Sequence, residues 1–581
     1  MKYIIKKGLL LFSIASLFFS CIRKKDFELN KVKWDDITPA WGLPLINSTM
    51  SIDQALNKNT SNLIIQRDPD GFITFIYLDT VYSPDGTVLL EKFKLAIPEI
   101  HEGVSLGTIP ILPPPGNTVS NLPSFNGTFD FVLDSVESIK KITFKDGTLK
   151  IQPKSLIKHK LSFNLTIPGL KNAFGTSFTT LVDLSYNGST LPTMAKLIEQ
   201  KLSGYSMVPS GGTNTVAYSI DNLSIETVGV GGVSNPILST DSITVDISFD
   251  DLKLKSIEGK MSPIHLTGIP SGETVINAFD NALSGNISFE NPSVNFTFQN
   301  SFGLTPSIRI DSAKMQYAYS NQFKDFNVNK TSGMEIPGVT IINPATTLGQ
   351  FTATPPIVIN RGTSNIIEVL KGAPNKFVYK IGSIGLSSGN NDAFISDDSQ
   401  IKINTEVKIP LFGSVDSLII SDTAKHVEMI KADNVDYIEF RAGSENSIPT
   451  SVQLQAYFCD TTLYTFDVVG KKKYVILDSL VSPWEAGLIV APGDIEDMDN
   501  EGNITKTKIN SFSTTIPVSK EKYRRISTAN VIIIKGKLFT KDKDSKSVKF
   551  FTWQTCTFRL AAFAKLRINP GSPEDIINIG K

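Results

Sequence analysis

Residues 401–411 read IKINTEVKIPL, and this stretch decides the fold class. Apolar residues stand at 401, 403, 407, 409 and 411, while lysines, an asparagine and a glutamate occupy positions between them. Alternation with period two predicts a β-strand with one buried and one wet face, which is typical of antiparallel sheets. At about 3.3 Å per residue the stretch would extend ~35 Å, which is longer than an ordinary strand.

The same alternation recurs along the chain, at 161–167, 243–249, 294–298 and 452–458. The phase slips at Asp250-Asp251, which predicts a bulge or tight turn, and Asp70-Gly71 between two apolar runs predicts a hairpin. Helical pattern is scarce, and the candidates are 192–202, 274–283, 366–370 and 519–527. We therefore predict an all-β protein of several antiparallel β-sandwich-like domains with a few short helices.

A chain of 581 residues is too long for one hydrophobic core. The Pro-rich stretch IPILPPPGNTVSNLP at 109–123 and the turn-rich stretch after 331 indicate boundaries. The predicted parts are a signal peptide (1–20), a tether (21–33), an N-terminal β-hairpin domain (34–125), a β-sandwich region with room for two repeats (126–330) and a C-terminal β domain (331–581).

The N-terminus, MKYIIKKGLLLFSIASLFFSC, has the order of a secretory signal: lysines, an apolar run at 8–19, and Ser20 before Cys21. The apolar run is too short to span a bilayer. The cysteine after Phe18-Phe19-Ser20 resembles the looser lipobox of Bacteroidota lipoproteins. This resemblance implies a diacylglyceryl (later palmitate-type) modification on Cys21 and an outer-membrane anchor; the alternative is a secreted protein with a chance cysteine.

Other stretches resemble a group of uncharacterised Bacteroidota outer-membrane lipoproteins. They are the Trp-rich entry WDDITPAWGLPL from Trp34, and SNIIEVLKGAP, NTEVKIPLFG and ENSIPTSVQLQAYF further on. Arg23, Lys24 and Lys25 stand where some such proteins carry an acidic surface-export cluster, which implies a periplasm-facing protein. KNAFG (171–175) and QNSFG (299–303) each follow an alternating strand and resemble the LEA type 2, or water-stress and hypersensitive response, β-sandwich.

Few residues suggest chemistry. The signatures HExxH, GxxxxGK[ST] and GxGxxG are absent, and none of the four histidines has a second His or Cys at metal-ligand spacing. Removing residues 1–20 would leave 54 basic and 57 acidic residues, which gives no electrostatic case for nucleic acid. We therefore predict no catalytic role and no cofactor beyond a weak Ca²⁺ site at Asp497, Asp499 and Glu501, where Lys508 replaces the expected bidentate Glu.

Two kinds of modification remain. If Cys21 carries lipid, Cys459 and Cys556 are left to form a disulfide or to stay as two buried free thiols. Asp-Ser/Thr pairs recur and resemble the O-glycosylation acceptor of exported Bacteroidota proteins; the alternative is that they start strands and turns. The candidate acceptors are Thr80, Ser135, Ser242, Ser312, Ser417, Thr423, Thr461 and Ser479.

These observations favour a lipid-anchored envelope protein with a non-catalytic binding or scaffolding role. One alternative is a lipid- or hydrophobic-ligand-binding β protein, in which long strands such as 401–411 curl around an apolar cavity. A second alternative is a glycan-binding or glycan-active surface lipoprotein, which as an enzyme would need converging carboxylates. The expected partners are the membrane, reached through the lipid, and an envelope protein or hydrophobic ligand.

Overall fold

The computed structural model describes residues 40–51, 63–109, 111–134, 136–188, 190–210, 214–277, 282–317, 320, 322–329, 331, 333–425, 429, 435–466, 472–483, 486–491, 509–540 and 547–566. These residues form antiparallel β-strands and three short helices, α1 (Gly86–Leu90), α2 (Ile366–Leu370) and α3 (Lys520–Ile526). No helix in this part of the chain has the length and hydropathy that a bilayer crossing requires. The predicted all-β class is confirmed.

Through residue 266 the strands are β1 (Ala40–Ser51), β2 (Leu63–Arg67), β3 (Ile73–Tyr82), β4 (Leu95–Ala96), β5 (Ile100–Ser105), β6 (Thr118–Val119), β7 (Phe125–Asp130), β8 (Val132–Leu133), β9 (Val136–Ser155), β10 (Lys160–Lys171), β11 (Ser177–Leu184), β12 (Thr193–Met194), β13 (Ile198–Lys201), β14 (Ser206–Met207), β15 (Thr215–Glu226), β16 (Gly229–Val230), β17 (Val233–Ser234), β18 (Ser242–Met261) and β19 (Ile264–Leu266). Beyond it they are β20 (Gly272–Val275), β21 (Ala282–Phe289), β22 (Ser293–Asn300), β23 (Thr305–Tyr317), β24 (Phe323–Asp325), β25 (Gly338–Ile341), β26 (Thr352–Ala353), β27 (Ile357–Ile359), β28 (Pro374–Ser387), β29 (Ala393–Ser396), β30 (Ile401–Pro410), β31 (Phe412–Lys425), β32 (Val435–Asn446), β33 (Thr450–Phe466), β34 (Lys472–Ser479), β35 (Leu488–Val490), β36 (Asn510–Val518), β37 (Val531–Thr540), β38 (Val548–Lys549) and β39 (Thr555–Leu566).

A two-stranded ribbon of β9 and β18, each 20 residues long, forms the middle of a 12-stranded sheet. The two strands run antiparallel, and their register shifts between Asp250 and Lys253, where the sequence predicts a bulge. Gly147 faces this bulge with φ +141, and a Cβ on it would lie 2.7 Å from Cδ2 of Leu252. The bulge therefore depends on a glycine in the opposite strand.

The middle sandwich packs the sheet containing β3, β30 and β22 against the sheet containing β28 and β23. Strand β30 has the alternating burial that its sequence predicts, and Ile401, Ile403, Val407 and Ile409 are fully buried. Across the two sheets, the ring of Phe296 lies 5.4 Å from that of Tyr379. The apolar side of residues 401–410 thus lies in the core between the two sheets.

Strand pairing crosses the domain boundaries predicted at 125 and 330. Strand β3 pairs with β30 in the register Phe75↔Ile409, although the two strands are more than 300 residues apart in sequence. One cluster of buried apolar side chains extends from Ile73 to Leu418, and a second extends from Val435 to Ala564. A lone hairpin such as β2–β3 cannot bury its apolar face, so it joins the sheet of the middle sandwich.

The second cluster is the core of a C-terminal sandwich. Its sheets have the orders β1-β39-β32-β36 and β21-β31-β37-β33-β34. Strand β1 pairs with β39 from Ala40↔Lys565 to Ser51↔Thr555, so the first and last described strands lie side by side.

The C-terminal sandwich repeats the middle one. The series β22, β23, α2, β28 and β30 has the same order and pairing as β32, β33, α3, β37 and β39. Strand β3 pairs with β30 as β1 pairs with β39. This is not the repeat predicted within 126–330. The two runs compared there, at 142–151 and 245–254, lie in β9 and β18, and these two strands pair with each other in one sheet. KNAFG and QNSFG share only a local turn, because β10 pairs with β11 whereas β22 and β23 belong to different sheets.

An Asn-Ser pair marks the repeat. Asn300 is fully buried, and its Oδ1 accepts the Phe302 N–H at 2.9 Å, as Oδ1 of Asn446 accepts the Ile448 N–H at 2.9 Å. The next residue, Ser301, accepts the Gln400 N–H at 2.7 Å. Ser447 accepts the Thr555 N–H at the same distance.

Of the predicted helices, two are confirmed. They are 366–370 and 519–527, the latter beginning after Ser519, whose Oγ accepts the Lys522 N–H at 3.2 Å. The helix predicted at 192–202 is wrong, because this segment supplies β12 and β13 to the edge of β9. The helix predicted at 274–283 is also wrong, because strands β20 and β21 occupy its described ends.

Candidate functional site

A cleft of about 650 Å³ opens beside the bulge of the ribbon, and we call it the ribbon cleft. Helix α1 and residues 91 and 93–95 form one wall, and Lys145 of β9 with residues 252–254 of β18 forms the other. Its volume lies within the range of small-molecule sites, roughly 300–1,000 Å³.

The first wall is fixed by the N-terminus of α1. Asp85 caps the helix, with its Oδ1 accepting the Thr87 N–H at 3.1 Å, and the same N–H lies 3.1 Å from the Asp397 carbonyl oxygen. Gly86 approaches β29 so closely that a Cβ would lie 1.8 Å from the Ser396 carbonyl oxygen. The helix is therefore held against β29 at a position that only glycine permits.

The floor of the ribbon cleft is apolar. Leu90, Phe93 and Leu254 are buried, with exposed fractions of 4%, 7% and 9%, while Leu95 and Leu252 are half-buried. A cleft with apolar walls gains binding energy from apolar ligands through the surface that both lose to water.

The rim carries charge. Lys145 donates to Oδ2 of Asp397 at 2.7 Å, and this hydrogen bond raises the pKa of Lys145. Lys94 and Lys253 are exposed, and within the described residues neither has a carboxylate oxygen within 4 Å. Glu91 is the one carboxylate among the residues that line the cleft. Because Asp397 already pairs with Lys145, the lining charges without such a partner are Lys94 and Lys253, set against Glu91.

A smaller polar cleft of about 210 Å³ lies on the same ribbon, around His101 of β5. Nδ1 of His101 is 2.9 Å from Oδ1 of Asp246, and Nε2 is 3.5 Å from Oε2 of Glu99. Lys154 donates to the other oxygen of Asp246 at 2.5 Å. Glu99 and Lys154 thus flank the pair formed by the exposed imidazole and the Asp246 carboxylate.

The hydrogen bond to Asp246 raises the pKa of His101 above its usual value near 6.5. Partial burial alone would raise the pKa of Asp246, but the hydrogen bonds from His101 and Lys154 outweigh it and lower that pKa. The histidine therefore stabilises the fold below its ordinary pKa and loses this effect as pH rises through the raised value. The carboxylate contributes above its ordinary pKa and loses its effect as pH falls through the lowered value.

We expect both His101 and Asp246 to be charged, and their ion pair to contribute fully to stability, between about pH 4 and 6.5. In NMR titrations, the His101 ring resonances should have a midpoint above that of an unstructured histidine peptide, and Asp246→Asn should move the midpoint down. His101→Gln identifies the resonances. An unchanged midpoint in Asp246→Asn would contradict the pairing.

The cysteine alternatives resolve in favour of free thiols. Cys459 and Cys556 are both free and buried, and they lie in different sheets, on β33 and β39. Burial raises the pKa of each thiol to about 11. The structure therefore has the second of the two alternatives, buried free thiols that pack as small apolar groups.

The candidate glycosylation acceptors differ in accessibility. Thr80 is exposed, and its hydroxyl donates to Oδ1 of Asn404 at 3.0 Å. Ser479 is 3% exposed and donates to the Val481 carbonyl, so it is inaccessible in the folded protein. The half-buried candidates are Ser242, Ser312, Ser417 and Thr461. Six predicted site residues lie outside the described residues or side chains: Cys21, Ser135, Thr423, Asp497, Asp499 and Glu501.

Within the described ranges, no group of three or more His, Cys, Asp or Glu side chains is arranged to hold a metal ion. Sequence reasoning missed the ribbon cleft, because its walls are brought together by pairing between distant strands. Two local signals do mark it, the phase slip at Asp250-Asp251 and the Pro84-Asp85-Gly86 stop at the start of α1.

Comparison with known proteins identifies no family. No protein-family profile matches the chain, and no curated protein matches it significantly. A protein of Parabacteroides distasonis described as secreted aligns over 53% of this chain and 88% of its own, at 11% identity and a TM-score of 0.25. An archaeal virus protein with a triple jelly roll fold aligns over 84% and 91%, at 8% identity and 0.10. VP2 of infectious bursal disease virus aligns over 91% and 86%, at 10% identity and 0.12. Likeness at this level carries no functional argument.

Proposed function

We propose that the protein is a lipid-anchored, periplasm-facing envelope protein of the outer membrane with a non-catalytic binding role. The signal sequence and Cys21 support the anchor. The ribbon cleft supports the binding role, and it is the observation that carries the proposal. Its volume and apolar floor fit a small, largely apolar ligand.

The geometry favours this version of hydrophobic-ligand binding over a tubular lipid carrier. A tubular carrier would line its cavity with the apolar faces of long strands. The sequence feature that favoured such a carrier was the long alternating run of β30. Its apolar side chains are instead fully buried, and Thr405 on the same face donates to the Tyr379 hydroxyl of the opposite sheet at 3.1 Å. The ribbon cleft lies elsewhere, between α1 and β18.

The binding role is tested with the mature chain carrying Cys21→Ala, purified from the periplasm of a bacterium without detergent. We expect organic extraction followed by mass spectrometry to release a small apolar molecule in a near-stoichiometric amount. Leu252→Asp should purify without it, because the carboxylate faces the apolar floor. A matched control, Leu181→Asp, changes an exposed leucine of β11 away from the cleft and should retain the ligand. Equal extracts from wild type and Leu252→Asp would contradict the proposal.

A further inference from the structure

The ribbon cleft combines two features that select the same kind of ligand. Its floor is formed by leucine and phenylalanine side chains, whereas its rim carries Lys94, Lys145 and Lys253 against Glu91. From this geometry we propose that the cleft binds an amphiphile with one anionic headgroup, whose chain covers the floor and whose carboxylate or phosphate contacts Lys94 and Lys253. This inference rests on the proposed binding role.

The three lysines of the cleft differ in whether a carboxylate of the fold already pairs with them. Lys145 is held by Asp397 at 2.7 Å, so its charge is already used within the fold. Along the outer face of the ribbon other lysines are neutralised in the same way, as Lys150 by Asp250 at 2.7 Å and Lys260 by Glu137 at 2.7 Å. Lys94 and Lys253 contrast with them, because the described residues offer neither a carboxylate within ion-pair distance.

The two lysines come from opposite walls. Lys94 follows Phe93 on the first wall, and Lys253 stands between Leu252 and Leu254 on the second. Both lysines line the cleft with exposed side chains, whereas the apolar residues beside them are buried or half-buried. A headgroup at the mouth of the cleft could therefore contact both ammonium groups, while Glu91 disfavours a second negative charge.

The experiment uses the full mature chain carrying Cys21→Ala and isothermal titration calorimetry, with dodecanoate, dodecanol, acetate and inorganic phosphate as probes. We expect dodecanoate to bind more tightly than dodecanol, and neither acetate nor phosphate to bind comparably. The double variant Lys94→Ala/Lys253→Ala should weaken dodecanoate about tenfold and leave dodecanol unchanged. The matched double variant Lys92→Ala/Lys255→Ala removes exposed lysines two residues away, outside the cleft lining, and should bind dodecanoate like wild type.

The outcomes separate the two claims. Equal binding of dodecanoate and dodecanol, with no effect of Lys94→Ala/Lys253→Ala, would overturn the headgroup inference and leave the apolar binding role intact. If acetate or phosphate bound as tightly as dodecanoate, the claim that the ligand needs an apolar chain would be wrong. No binding of either twelve-carbon probe would overturn the inference together with the proposed role. Circular dichroism and the thermal midpoint of each variant verify that it is folded.

Discussion

A Cys21→Ala precursor is expected to leave the membrane fraction and appear in the soluble fraction of the envelope. Each buried CH₂ of an acyl chain contributes about 0.8 kcal/mol to membrane binding, and a diacylglyceryl group brings two chains, so removal of the acceptor thiol should abolish stable anchoring. The measurement is cell fractionation with immunoblotting, together with loss of globomycin-sensitive processing.

The other two cysteines are the matched controls for this experiment. Cys459→Ala and Cys556→Ala remove thiols that are buried inside the fold, and both variants should stay with the membrane. If Cys21→Ala protein remained membrane-bound after a carbonate wash, the lipid anchor would be wrong and another part of the chain would have to hold the protein there.

Asn300→Ala should destabilise the middle sandwich by about 3–5 kcal/mol. The amide of Asn300 donates to the carbonyl oxygens of Phe302 and Leu304, at 2.9 and 3.2 Å, and to that of Asn343 at 3.0 Å. Its Oδ1 accepts the Phe302 N–H. In the alanine variant the Phe302 carbonyl oxygen would keep the Ala345 N–H, but the other buried backbone groups would lose the side-chain partner, which costs more than the hydrogen bonds themselves contribute. Urea denaturation followed by fluorescence measures the change.

Two further variants test whether the loss of stability arises because the turn at Asn300 is buried. Asn446→Ala removes the equivalent side chain of the C-terminal sandwich, where it donates to Thr450 and Ala491 at 2.9 Å each, and should cost a similar amount. Asn172→Ala removes an asparagine that makes the same kind of turn at an exposed site, and should cost less than ~1 kcal/mol. A small effect in Asn300→Ala, equal to that in Asn172→Ala, would contradict the argument.

Local patterns predicted the strands well, because the burial of each side chain in a strand follows from its position. Strands β22 and β30 bury every second residue as their sequences predict, and the slip at Asp250-Asp251 coincides with a register shift. The cap at Ser519 and the helix after it were likewise readable from neighbouring residues. Each of these features depends on a few consecutive positions.

Features that depend on distant pairing could not be predicted. Nothing in IYLDTVY indicates that β3 pairs with β30 rather than within an N-terminal domain, since both strands simply need a partner for their edges. The segment 192–202 has a weak helical period, yet the open edge of β9 pairs with it as two short strands. The ribbon cleft was missed for the same reason, because its walls come from three elements far apart in sequence.

The repeat of the two sandwiches was also hidden. Its one readable trace is the pair Asn300-Ser301 and Asn446-Ser447, two short matches that carry little weight in an Asn- and Ser-rich chain. Packing tolerates many apolar substitutions as long as the pattern of buried positions is kept. The buried turns need an amide that can satisfy several backbone groups at once, so they retain the asparagine.

The pairing of β1 with β39 has a consequence for secretion. A chain that crosses the inner membrane N-terminus first delivers β1 at the start and its partner strand at the very end, with over 500 residues between Ala40 and Lys565. Until then the edges of β39's future neighbours stay open, and contacts of such long range form slowly. The C-terminal sandwich should therefore mature last, and under the export proposed above it is the part of the protein most in need of a chaperone.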